Sequence, residues 1–135
     1  MTHGDNNVRL LLDTHALIWW MSNSSSLPRT IRRLMSDKGN TIFVSAASAW
    51  EMATKVRLGR LPAASDITRN FQEYLLQSGF ESLPVSAEHG IRAGLPPGPH
   101  QDPFDRMLIA QAEMEKLFIV SNEKIFDQYG VRRLW

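Results

Sequence analysis

VRLLLDTHALIWWMS, residues 8–22, holds the transition that decides the fold. Its first part, VRLLLD (8–13), is a short and nearly continuous apolar run. A strand covered on one face alternates polar and apolar residues, whereas an unbroken run fits a strand buried on both faces. After Asp13 the composition turns helix-compatible through THALIWWMS (14–22). A buried strand passing straight into a helix is the unit of an α/β sheet. Asp13 falls at the carboxyl end of that strand, where open α/β sheets place their sites.

The same unit recurs along the chain. TIFVS (41–45) is a β-branched and aromatic strand, followed by a helix from about Ala46 to Leu58 with Gly59 as its cap. LFIVS (117–121) is another buried strand, followed by a helical turn or two in NEKIFDQYG (122–130) and a last strand in VRRLW (131–135). Between these lie a helix from Pro28 to about Asp37 and one from Ser65 or Asp66 to about Gln77, closed by Gly79. ESLPVS (81–86) is a weak strand, and Pro84 predicts an edge position for it. A short helix spans Ala87 to Ala93, GLPPGPHQ (94–101) is a shaped loop, and Asp102 opens a helix through Lys116. Strands alternating with helices imply an α/β domain with a mainly parallel sheet covered on both faces.

Bulk properties bound the function. At 135 residues and 43% hydrophobic, the chain suits one domain with a sizeable core, residues 8–135, behind a loose tail at 1–7. A formal net charge of +1 gives no argument for nucleic acid. The lack of cysteine excludes disulfides, Cys-ligated zinc and a thiol nucleophile, and fits a reducing cytoplasm. The start MTHGDNN has no apolar core of a signal peptide, and no run is long enough to span a membrane. A cytoplasmic protein without a membrane partner is expected.

The acids carry the chemistry. Asp13, Glu51, Asp105 and Glu123 sit where buried segments end or helices begin, and Asp102 stands one turn from Asp105. A carboxylate at a core boundary is costly unless paired, hydrogen-bonded or bound to metal. Several sharing a pocket need a cation to remain ionised together, which points to Mg²⁺ or Mn²⁺ and to phosphodiester hydrolysis. Each acid also has an ordinary role open to it. Asp13 is a good cap for the helix after it. Glu51 lies beside the buried face marked by Ala47, Thr54 and Leu58, yet Lys55 is at the right spacing for a surface pair. In DPFDR (102–106), Asp102 suits N-cap, Pro103 the first helical position and Asp105 the third. Asp105 also leans to the core side with Leu108, Ile109 and Ala112, which favours a functional role. Glu123 follows a strand, as a first-turn glutamate also would, and Ser121 can offer a hydroxyl to a neighbouring carboxylate.

Other chemistries lack support. There is no H-E-x-x-H, no P-loop and no G-x-G-x-x-G, and Asp13-Thr14-His15 lacks the second aspartate of an aspartyl phosphatase. His15 and His100 neighbour acids, but ordinary polar roles are expected of them and of His3 and His89. Trp19 and Trp20 are adjacent on one short helix and are not expected to face the same core; one is free to meet a partner. Phosphate-neutralising candidates are Arg29, Arg32, Arg33 and Lys38 on one helix and Lys55, Arg57 and Arg60 on another, with Arg32, Arg33 and Lys55 foremost.

The segments LLLDTHALIWW, VSAASAWEMATKVRLGRL, HQDPFDRMLIAQA and IVSNEKIFDQYGVRRLW together resemble the PIN-domain ribonucleases, and most nearly the VapC-type toxins of bacterial toxin–antitoxin pairs. The resemblance covers essentially residues 8–135. It implies a three-layer α/β/α sandwich and a Mg²⁺- or Mn²⁺-dependent endoribonuclease acting on RNA, leaving a 5′-phosphate and a 3′-hydroxyl. It makes Asp13, Glu51 and Asp105 the principal metal-site acids, Asp102 a further one, and Thr14 and Ser121 supporting residues. Glu123 stands where the family shows aspartate, which implies an indirect, water-mediated role for this longer acid. A cognate protein antitoxin that covers the site and a homodimer are implied as well. The alternatives are a free-standing PIN nuclease of RNA processing and a PIN module that binds without catalysis.

Overall fold

Three consecutive leucines, Leu10 to Leu12, have no solvent-exposed surface and lie at the middle of a five-stranded sheet. The computed structural model describes residues 7–98 and 102–135. Its strands are β1 (Arg9–Leu12), β2 (Thr41–Ser45), β3 (Glu81–Leu83), β4 (Phe118–Val120) and β5 (Arg133–Leu134). They lie in the order β3-β2-β1-β4-β5, and every pairing is parallel. In register, Leu12 stands between Val44 and Val120, so the chain leaves the three inner strands along one edge.

The helices are α1 (Thr14–Met21), α2 (Arg29–Ser36), α3 (Ala46–Arg57), α4 (Ser65–Arg69), α5 (Phe71–Ser78), α6 (Ala87–Gly94) and α7 (Pro103–Glu115). Strand alternation divides the leucines between two cores. Leu10 and Leu12 pack with Leu17, Ile31, Ile67 and Leu75 from α1, α2, α4 and α5. Leu11 points the other way and packs with Leu108, Ile109 and Ala112 of α7 and with Phe126. The result is the expected three-layer α/β/α sandwich.

Four local features differ from expectation or sharpen it. The single helix foreseen from Ser65 to Gln77 is two, broken at Asn70 (φ −118°, ψ 33°). The Asn70 amide hydrogen-bonds back to the Asp66 carbonyl and carboxylate, the local competition that makes asparagine a helix breaker. The last strand is only Arg133–Leu134, shorter than VRRLW. Pro84 does mark an edge, because β3 is an outer strand. Gly79 closes α5 in the left-handed region (φ 74°), where a side chain is strained. The foreseen tail at residues 1–7 lies almost wholly outside the described residues, as do His3 and His100.

Candidate active site

Asp13 follows β1 directly and caps α1, its Oδ1 accepting from the Ala16 amide at 2.7 Å. The ordinary role is therefore real, but it does not account for the environment, since Asp13 is only 3% exposed. Burial pushes its pKa upward. Hydrogen bonds from the Ser121 hydroxyl and the Ala16 amide, with the nearby His15, pull it down, and Glu123 pushes it up again. The balance is about 6, against an ordinary 3.8. A carboxyl held there gains from any cation brought beside it.

Glu51 lies on α3 and is 5% exposed. The Thr14 hydroxyl donates to its Oε1 at 2.5 Å, and the Lys55 ammonium donates to its Oε2 at 2.7 Å. The i,i+4 pair foreseen as the ordinary alternative thus exists, though not on the surface. Thr14 follows Asp13 in the chain, so the two buried acids are one residue and one hydrogen bond apart.

α7 brings the second pair. Asp102 is its N-cap, with Oδ1 accepting from the amides of Phe104 at 2.8 Å and Asp105 at 3.2 Å, and Pro103 opens the helix. Asp102 and Asp105 are both half-buried. Their charges reach Lys55. Partial burial pulls that amine down, but the hydrogen bond to Glu51 and the charges of Glu51, Asp102 and Asp105 outweigh it and hold its pKa above the ordinary 10.5. Lys55 is therefore the electrostatic link between the α3 and α7 acids. On the other side, Ser121 leaves β4 fully buried, accepts from the Glu123 amide at 3.0 Å and donates to Asp13. Glu123 itself is exposed.

The donors here are carboxylate and hydroxyl oxygens, which suit hard cations such as Mg²⁺ and Mn²⁺. Ser48, one turn before Glu51 on α3, is buried, and among the described residues its hydroxyl has no hydrogen-bond partner. That orphaned oxygen and the raised Asp13 fit a cation with its water shell. The resting side chains do not converge on one: among the described residues no three His, Asp or Glu side chains are grouped to hold an ion. The cause is local. Asp13 Oδ1 and Asp102 Oδ1 are engaged by helix amides, and both Glu51 oxygens by Thr14 and Lys55.

The structure thus brings together Asp13, Thr14, Glu51, Lys55, Ser121 and Glu123, with Asp102 and Asp105 coupled to them through Lys55. It does not bring Arg32 and Arg33. Arg32 donates to the Ser24 carbonyl at 3.1 Å and lies over the Trp20 ring, near the far end of α1 from Asp13. Arg33 is exposed on the same helix. His89 serves structure: its Nδ1 accepts from the Ser86 amide in a capping box, and its Nε2 meets Glu115 at 2.9 Å. The expectation that Trp19 and Trp20 cannot share a core is corrected. Both are half-buried against the same cluster, each taking one flank of α1, with Trp19 on Trp135 and Trp20 on Phe80. Sequence reasoning missed Ser48; its place three residues before Glu51 was the available signal.

Comparison with known proteins agrees with this architecture. The PIN domain family matches residues 10–131. Ribonuclease VapC16 of Mycobacterium tuberculosis is 36% identical over 58 residues, 43% of this chain and 41% of that protein. The match thus spans less than half the length of that curated relative. The crystal structure of VapBC2 from Rickettsia felis, bound to a DNA fragment from their promoter, superposes with a TM-score of 0.63 at 19% identity. That likeness covers 94% of this chain and 98% of the other, and it concerns the fold.

Proposed function

The chain belongs to the PIN-domain family, and from that premise we propose that it is a divalent-metal-dependent endoribonuclease of the VapC toxin type. The observation that carries the proposal is the pair of buried carboxylates at the carboxyl edge, Asp13 and Glu51, joined through Thr14 and faced by the α7 acids. The name of the relative VapC16 supports ribonuclease as the class.

Asp13, Glu51 and Asp105 would hold Mg²⁺ or Mn²⁺, with Asp102 and Glu123 supporting. Bound there, the ion supplies charge neutralisation and activation of water for in-line attack on phosphorus. The chain's own residues prepare the place. Ser121 fixes the Asp13 carboxylate by donating to it, and Thr14 fixes Glu51. Lys55 offsets the mutual repulsion of Glu51, Asp102 and Asp105 and would be available to a substrate phosphate once Glu51 turns to the ion. A protein antitoxin covering this edge, a homodimer and a cytoplasmic location belong to the same proposal and rest on the likeness to VapC proteins. Among the described residues no helix is long and apolar enough to cross a membrane.

The test is cleavage of RNA by the purified protein with Mg²⁺, with Mn²⁺ and with EDTA, followed by sequencing of the ends. Metal-dependent internal cuts bearing 5′-phosphates, lost in Asp13→Asn and Glu51→Gln, are expected. Cleavage that persists in EDTA or in Asp13→Asn refutes the proposed chemistry, and absence of cleavage with either metal leaves a binding module.

A further inference from the structure

Trp50 is the immediate neighbour of Glu51 on α3, yet it is 64% exposed. Its ring meets the edge of Phe104, with centroids 4.8 Å apart at 71°. Phe104 lies between Asp102 and Asp105 in the first turn of α7. Each ring of the pair therefore comes from a residue adjacent to a candidate metal-site acid. The two line a cavity of about 440 Å³ whose other walls include Ala46, Ala47, Pro103 and Met107. It lies between the first turns of α3 and α7, the helices that carry Glu51 and the α7 acids, and the side of α6 formed by Gly90, Ala93 and Gly94.

From this juxtaposition we infer that the cavity is a subsite for an unpaired nucleobase, stacked on Trp50 and bordered by Phe104, next to the phosphate that is cut. The inference rests on the proposed nuclease activity for its choice of occupant. A strand that lays a phosphate on the acids carries a base close to it, and both rings of this cavity come from residues next to those acids in α3 and α7. Small apolar side chains leave room for a flat ring, and an exposed tryptophan supplies the face on which any base stacks. Such stacking tolerates every base, so the subsite selects single strands rather than a sequence. A duplex keeps its bases paired and out of reach. Trp50 stands on the exposed stripe of α3 with Ala46, Ala53 and Arg57, and the subsite gives this large apolar side chain a role there.

The experiment measures anisotropy of a fluorescent ten-nucleotide single-stranded RNA, and of the matching duplex, with Asp13→Asn protein so that no cutting occurs. Adding Trp50→Ala should weaken single-strand binding by about 5- to 150-fold, the range of one aromatic–base stack, and leave duplex binding unchanged. Trp50→Phe should recover most of the loss. A 2-aminopurine beside the cut should be quenched with Trp50 present and bright with Trp50→Ala. Unchanged single-strand affinity, an equal loss on the duplex, or failure of phenylalanine to rescue overturns the subsite. Cleavage by the wild-type chain is scored in parallel: an RNA that is cut while Trp50→Ala binds normally sinks the subsite alone. No cutting with either metal sinks the nuclease instead, and a Trp50-dependent single-strand affinity still supports the subsite.

Discussion

Replacing Asp13 with asparagine should stabilise the metal-free protein while abolishing its activity. Asp13 titrates at about 6 in the fold and at an ordinary 3.8 when unfolded. The folded state therefore holds the proton more tightly than the unfolded state. Stability falls as pH rises from 3.8 through about 6, and the penalty is fully present above that. At about 1.4 kcal/mol per pH unit, the gap amounts to roughly 3 kcal/mol. Asparagine removes the charge and still accepts from the Ala16 amide, so the cap of α1 survives. It does not accept fully from Ser121, whose buried hydroxyl loses its acceptor at a cost of about 1 kcal/mol. A net gain of about 2 kcal/mol remains at pH 8, near 1 M in urea midpoint. Urea titrations of both proteins in EDTA at pH 8 and pH 5 measure it. The gain should shrink markedly at pH 5. An asparagine variant no more stable than wild type at pH 8, or equally favoured at both pH values, would refute the argument that burial strains this carboxylate.

Lys55→Met should lower stability in EDTA by about 1–3 kcal/mol, because it leaves buried Glu51 with Thr14 alone, and Mn²⁺ should restore more melting temperature to this variant than to wild type. Asp102→Ala should cost about 0.5–2 kcal/mol through loss of the α7 cap, whereas Asp102→Asn should melt like wild type and still slow cleavage, separating the two roles of that acid. Leu11→Ala, at a side chain buried between β1 and α7, should cost about 2–5 kcal/mol in urea unfolding.

Much of the architecture is legible in local pattern. VRLLLD, TIFVS and LFIVS read as strands because a sheet sandwiched by helices demands apolar side chains on both faces, and all three are central. Asp13 and Ser121 were visible as residues leaving those strands along one edge. The break at Asn70 was hidden because its side chain acts on a helix whose remaining residues fit one continuous pattern. The site was legible as positions rather than as pairings. The spacing of Glu51 and Lys55 allowed an ion pair, but only tertiary packing shows that the acid is buried, that Thr14 holds its other oxygen and that Lys55 also feels the α7 acids. Arg32 and Arg33 were visible as charge, while the end of the sheet on which α2 places them depends on chain direction through the whole fold. The meeting of Trp50 with Phe104, more than fifty residues away, has no local signature.

The decisive observation is where manganese settles when crystals of the protein are soaked with it and its anomalous scattering is mapped. A peak within coordination distance of the Asp13 carboxylate, with Glu51 turned from Lys55 and Asp105 drawn in, is the expected outcome. A peak elsewhere, or none at saturating Mn²⁺ with Glu51 still clasped by Lys55, would contradict the assignment of these acids to a common metal centre.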